Sequence, residues 1–167
     1  MLTVIGDTHG RSDHRLTGRT LEAVREADHV LHVGDFTTTT VFDAIDAEAA
    51  KLTAVYGNND EPGLRDRLPA VATFDWNGIR IVATHGHEHT DTGLSMLARQ
   101  EGADLVVVGH SHRPRIDTVG DTPRLNPGSY ADPRRYEPAH AEIRKNGEGF
   151  RIRLCQPGGG QLTEVNH

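Results

Sequence analysis

The sequence predicts an α/β fold of two mixed β-sheets packed on each other with helices outside. Three observations carry it. Short apolar runs alternate with segments of helical periodicity through the first two thirds of the chain, which implies parallel strands joined by crossovers. An Asn77-Gly78 pair between two strand-like runs reads as a hairpin on a type I′ turn. From Arg115 onward the pattern is β only, with a second hairpin around Asn146-Gly147.

In order, Leu2–Ile5 is a short apolar strand. Arg19–Ala27 is a helix with Leu21 and Val24 on one face. His29–Val33 is a strand, Val41–Ala50 a helix carrying Val41, Phe42 and Ile45, and Leu52–Tyr56 a third strand. Ala70–Asp75 and Ile79–Thr84 form the first hairpin. Thr92–Glu101 is a helix and Leu105–Val108 a strand. Ala141–Lys145 and Phe150–Leu154 form the second hairpin. The domain runs over 1–155, and 156–167 (GGGQLTEVNH at its end) reads as a C-terminal tail.

The totals narrow the function. A chain of 167 residues suits one domain with one sizeable core. A net charge of −6 argues against a surface built for long nucleic acid. The basic residues are almost all arginine, the only lysines being Lys51 and Lys145; a GC-rich genome and adaptation to salt both fit this. The single Cys155 has no partner for an internal disulfide, and no apolar run has the length of a membrane span. With MLTVIGD read as a strand start, these point to a cytoplasmic protein away from membranes.

The strand ends carry the chemistry. They read GDTHG (Gly6–Gly10), GDF (Gly34–Phe36), GNND (Gly57–Asp60), THGH (Thr84–His87) and GHSH (Gly109–His112). Ligands of open α/β sheets sit outside the carboxyl ends of the strands. The five loops are therefore expected to bring Asp, His and Asn to one edge of one sheet. Asp7 and His9 are two residues apart, as are His110 and His112, so each pair leans to one side in extended backbone. Carboxylate, imidazole and amide together suit Mn, Fe, Zn, Co or Ni better than Ca or Mg. Any one of these motifs alone is a turn or a surface accident; five in series at strand ends are not.

The series GDTHG, GD, GNND, HGH and GHSH, followed by Asn126-Pro127-Gly128-Ser129, resembles the calcineurin-like metallophosphoesterase superfamily, and most of all its compact bacterial and archaeal phosphodiesterase branch. The resemblance covers Met1 to about Leu154. It implies a four-layer α/β/β/α sandwich with a dinuclear metal site, Mn first with Ni, Fe, Zn or Co as alternatives. Carried over by position, one metal falls to Asp7, His9, Asp35 and His112, and the other to Asp35, Asn58, His85 and His110, with Asp35 bridging. It further implies hydrolysis of a small phosphodiester by a metal-bridging hydroxide, the two ions clamping an in-line displacement at phosphorus.

The chain departs from the family pattern at Asn59. In the larger phosphatases a His at that place is thought to protonate the leaving group, and an amide cannot. General acid help is typically worth ~10²–10⁴-fold. Three readings stay open: His87 does the job, the substrate has a good leaving group, or catalysis is lost. His87 reads equally as a proton donor, a phosphate contact or a surface residue. Asp35 and Asn58 complete the residues assigned to the reaction. Arg11 offers a phosphate contact but reads more readily as a solvated side chain. His14, His29, His32, His89 and His140 read as surface or structural, residues 126–129 as a turn beneath the site, and Cys155 as a small apolar residue. The rival functions are a phosphomonoesterase on a small molecule or nucleotide, and a non-catalytic scaffold of the retromer type with a metal-binding remnant. A monomer and a homo-oligomer both remain open.

Overall fold

The computed structural model describes residues 1–167. Its elements are β1 (Leu2–Ile5), α1 (Gly18–Glu26), β2 (His29–His32), α2 (Thr39–Glu48), β3 (Leu52–Ala54), α3 (Pro62–Arg67), β4 (Val71–Trp76), β5 (Ile79–Thr84), α4 (Asp91–Glu101), β6 (Leu105–Val107), β7 (Arg115–Val119), β8 (Thr122–Asn126), β9 (His140–Asn146), β10 (Gly149–Cys155) and β11 (Gln161–Asn166). One sheet has the order β11-β10-β9-β1-β2-β3, the other β4-β5-β6-β8-β7. The first is parallel across β1, β2 and β3 and antiparallel from β9 outward. The second is parallel across β5, β6 and β8, with antiparallel β4 and β7 at its edges.

The period of two along each strand sorts side chains into layers. On β1, Leu2 and Val4 enter the core between the sheets, while Ile5 faces the side covered by α1, α2 and α3. On β6, Leu105 and Val107 point inward, and Val106 packs outward with Leu94 and Ala98 of α4. Strands covered on both faces read as continuous apolar runs, and these do. The result is the four-layer α/β/β/α sandwich expected. At roughly 2 kcal/mol for each fully buried Leu, Ile or Val, the central cluster is the main source of stability.

Local signals set the element ends. Thr38 and Thr90 cap α2 and α4, their hydroxyls accepting from Val41 N and Gly93 N. Gly102 closes α4 in the left-handed conformation at φ 64°. Asn77 and Gly78 both have positive φ, as a type I′ turn requires.

Three expectations need correction. The site loops do not share one sheet: three leave β1, β2 and β3, and two leave β5 and β6 of the other sheet. The β4–β5 hairpin begins that second sheet, and the carboxyl ends of the parallel strands of both sheets meet at the site. Helix α3, absent from the expected elements, has no sequence signature because its six residues hold one buried apolar side chain, Leu64, and no period; Pro62 in its first turn supplies the start. Residues 161–166, read as a tail, form β11 on the edge of the first sheet. Its side chains are mostly exposed, so it shows no apolar alternation. Backbone hydrogen bonds between Phe150 and His167 pin its end. No helix is long and apolar enough to cross a membrane.

Candidate metal centre

Each candidate ligand stands just past the carboxyl end of a parallel strand, on backbone that turns sharply. Asp7 (φ 50°), His9 (43°), Asp35 (62°), His110 (64°) and His112 (59°) are all left-handed. Non-glycine residues are seldom found there, and each costs of order 1–3 kcal/mol. Such strain persists because the loops are tied together: Asp7 N donates to Gly34 O at 2.9 Å and His9 N to Asp35 O at 3.0 Å. Close approach also requires glycine. A Cβ on Gly34 (φ 92°) would lie 2.8 Å from His85 Nδ1, and one on Gly57 would collide with Asp35 Oδ1.

Hydrogen bonding fixes which nitrogen of His85 and of His112 faces the centre. His85 Nδ1 donates to Val33 O at 2.7 Å, which turns Nε2 toward the centre. That nitrogen faces Asn58 Oδ1 at 3.1 Å, Asp35 Oδ2 at 3.4 Å and Asp7 Oδ1 at 4.0 Å. His112 Nδ1 donates to Asp132 O, so its Nε2 faces Asp7 Oδ1 at 3.4 Å and His9 Nε2 at 3.3 Å. His9 Nε2 is 3.5 Å from Asp35 Oδ2. Both oxygens of Asp7, fully buried, have no hydrogen-bond partner. Around Asp7 and His112 acceptor meets acceptor, an arrangement that repels unless cations lie between. Asp7, His9 and His112 form one group of converging donor atoms and Asp7, Asp35 and His85 another. The residues therefore fit divalent metal ions.

The electrostatics agree. Burial, reinforced by Asp35, pushes the Asp7 carboxyl up to about 7. Burial would raise Asp35 too, but hydrogen bonding and charge from His85, with the Asn59 amides, outweigh it and hold Asp35 well below the usual carboxylate range; against its burial, Asp35 and Asp7 in turn raise the His85 pKa, drawing onto it a positive charge that a metal cation would replace. Burial lowers His112 and His110, which favours the neutral imidazole that a metal needs.

The surrounding residues hold this set in place. His32, expected to be surface or structural, is fully buried beneath the site. It accepts from Gly34 N and pairs with Thr8 Oγ1 at 3.1 Å, bracing the first two loops. Asp60 accepts from the backbone N–H of Asp35, Thr37 and Gly57; it orients loops rather than imidazoles. The 126–129 turn lies beneath the site as expected. Asn126 Nδ2 donates to Gly109 O and Ser111 Oγ, and Ser129 Oγ donates to Asp7 O. His110 stands at the exposed rim with its ring 5.2 Å from that of His85.

Residues 1–146 match the model of the calcineurin-like phosphoesterase superfamily domain. The chain belongs to this superfamily. It is 29% identical to a probable metallophosphoesterase of Methanothermobacter thermautotrophicus, over 99% of this chain and 98% of that protein. A phosphodiesterase of Methanocaldococcus jannaschii is 26% identical over 75% of this chain and 81% of its own. Among solved structures, the wild-type Vps29 of Entamoeba histolytica complexed with Zn²⁺ has the same fold, with a TM-score of 0.80 at 23% identity over 99% and 98% of the two chains. The class expected from the sequence, a metal-dependent phosphoesterase, is the class that the family and its named members carry.

Asn59, where the larger phosphatases of the superfamily were expected to carry a His, is an anchor for Asp35. Its backbone N–H donates to Asp35 Oδ1 at 2.8 Å and its side-chain amide to Oδ2 at 2.7 Å, contacts that the sequence alone did not suggest. His87 lies at the rim, its ring 5.3 Å from His85 and 6.1 Å from His110, with a buried Nδ1 that has no partner. Burial and the neighbouring His85 lower its pKa. His29 and His140 are buried structural residues, while His14 and His89 are half-buried.

Proposed function

We propose that the protein is a phosphodiesterase acting on a small phosphodiester through a centre of two divalent transition-metal ions. Asp7, His9, Asp35 and His112 would hold one ion; Asp35, Asn58, His85 and His110 would hold the other, with Asp35 shared. One observation carries this reading: both oxygens of the buried Asp7 carboxylate lack a donor and stand opposite Nε2 of His112, a lone pair because Nδ1 donates to Asp132 O. When bound, the ions supply Lewis acidity toward the phosphoryl oxygens and the activation of water. Mn is the first candidate, with Ni, Fe, Zn and Co behind it.

The chain's own groups divide the remaining work. Asp35 sits between the two sets of imidazoles and keeps its charge because His85 and Asn59 stabilise the carboxylate. Asn58 offers its amide oxygen beside His85. His87, at the rim beside His85 and His110, would contact the departing oxygen. Its lowered pKa keeps it neutral near pH 7, so it is a poor proton donor. The reaction should therefore favour substrates whose leaving group departs without protonation. The open rim, with no capping segment over it, and the phosphodiesterase name of the M. jannaschii relative support a diester over a monoester. The buried, unpaired Cys155 suits a reducing cytoplasm.

The test is hydrolysis of bis-p-nitrophenyl phosphate beside p-nitrophenyl phosphate. The protein is stripped of metal and then given Mn, Ni, Co, Zn or Mg, with Asp35→Ala and His112→Ala as controls. The expected result is metal-dependent cleavage, faster on the diester, lost in both variants by at least roughly the 10²–10³-fold that removing one electrostatic stabiliser costs. Faster monoester cleavage would make it a phosphomonoesterase. No turnover with any metal, in protein holding two ions, would favour the scaffold reading.

A further inference from the structure

We propose that Arg134 is an anion-binding residue of the centre, a guanidinium that holds a non-bridging phosphoryl oxygen beside His112. The proposal rests on the phosphoesterase reading above and adds a protein cation that the sequence did not reveal.

The loop after β8 is locked to the candidate ligands at two points. Ser129 Oγ donates to Asp7 O at 2.7 Å and accepts from Asp132 N at 2.9 Å. The carbonyl of Asp132 accepts from His112 Nδ1. Ala139 N returns to Ser129 O at 3.2 Å, closing the loop over the turn beneath the site. Any side chain at the bend of this loop is therefore placed relative to Asp7 and His112.

Arg134 occupies that bend. It follows Pro133, and its backbone is left-handed at φ 53°, a conformation uncommon for a residue with a long side chain. Its guanidinium is about half-exposed, makes no hydrogen bond, and has as its nearest carboxylate Asp132, 3.9 Å away at the limit of an ion pair. The same Asp132 oxygen is 3.7 Å from His112 Nδ1, which sets the guanidinium beside the His112 ring. Five N–H donors in a planar fork are thus free at the edge of the centre, the geometry that phosphate oxygens accept.

A second guanidinium nearby behaves differently. The charge of Arg65 reaches His87, but its Nε donates to Asp60 O at 2.9 Å and its Nη2 to Asn58 O. Arg65 spends its donors clamping the GNND loop. Arg134 spends none, and a cation left with unfilled donors beside a phosphate-processing centre has an obvious ligand in phosphate.

The experiment titrates inorganic phosphate into the full-length, Mn-loaded protein by calorimetry, and separately measures KM and kcat on bis-p-nitrophenyl phosphate. Wild type is compared with Arg134→Gln and Arg134→Lys, and metal content is measured in each. Arg134→Gln should weaken phosphate binding about tenfold, the loss of one charge-assisted hydrogen bond. It should raise KM similarly and leave two ions bound, with Lys restoring part of both. Phosphate binding in Arg134→Gln within twofold of wild type would overturn the proposal, as would a wild type that binds no phosphate. If phosphate binds through Arg134 but no ester is cleaved, the phosphodiesterase reading falls and the anion site stands.

Discussion

Two buried clusters in this molecule have the composition of a metal site, and only one has the chemistry. The first is the acceptor set around Asp7, His9, Asp35, His85 and His112. The second is His140, Glu142 and Cys155 on β9 and β10. In the second, His140 Nδ1 pairs with Thr20 Oγ1 at 3.0 Å, and its Nε2 faces Glu142 Oε1 at 3.5 Å. Arg19 Nε donates to that same oxygen at 2.7 Å. Burial pushes the Cys155 thiol up to about 11, so it is no thiolate. The second cluster thus carries its own donors on regular strands. The first leaves both oxygens of buried Asp7 without a donor, opposite the His112 lone pair, on strained loops. Residue types nominate a metal site; the balance of donors decides it.

The two clusters should respond in opposite ways to losing a carboxylate, which gives the comparison an edge that unfolding experiments can test on metal-free protein. The larger effect belongs to Glu142. Burial alone would raise it, but His140 and Arg19 outweigh this and bring it down to about 2. Glu142→Gln weakens the acceptor of Arg19 Nε and His140 while Arg19 keeps Glu26, and should cost about 2 kcal/mol at pH 7, in the range for hydrogen bonds to a charged group. The sign with pH follows from the depressed value. The stabilisation is complete above the unfolded pKa of 4.5 and fades as the pH falls through about 2. Wild type and variant should therefore converge between pH 4.5 and 2. Parallel curves across that window would show that the pair contributes nothing.

The smaller effect has the reverse sign. Asp7→Asn removes a buried carboxylate that has no donor and sits among other acceptors. It should raise metal-free stability by about 1 kcal/mol, the usual gain when a strained functional site is relieved. It should also abolish any stabilisation by added Mn. A destabilised Asp7→Asn protein would mean that the carboxylate is satisfied without metal.

What was legible in the sequence follows the same division. Asp7, His9, Asp35, Asn58, His85, His110 and His112 could be picked out because strand ends are marked by apolar runs and glycines, and those are local signals. The layer order was legible because both sheets are covered and their strands read as apolar runs. Membership of two sheets was not, since pairing across β1–β9 and β6–β8 is set by tertiary contact. Arg134, Asp132 and His32 were invisible as parts of the site because their place depends on where a loop folds back or which face of a strand is buried. β11 was hidden because an exposed edge strand needs no apolar alternation, and α3 because it is too short to show a period.

The most direct test is a count of bound metal. Wild type, Asp35→Ala and Cys155→Ala are dialysed to equilibrium against Mn²⁺ and assayed for metal per chain. The account expects two ions in wild type and in Cys155→Ala, and at most one in Asp35→Ala. Two ions retained by Asp35→Ala, or an ion lost with Cys155, would contradict it.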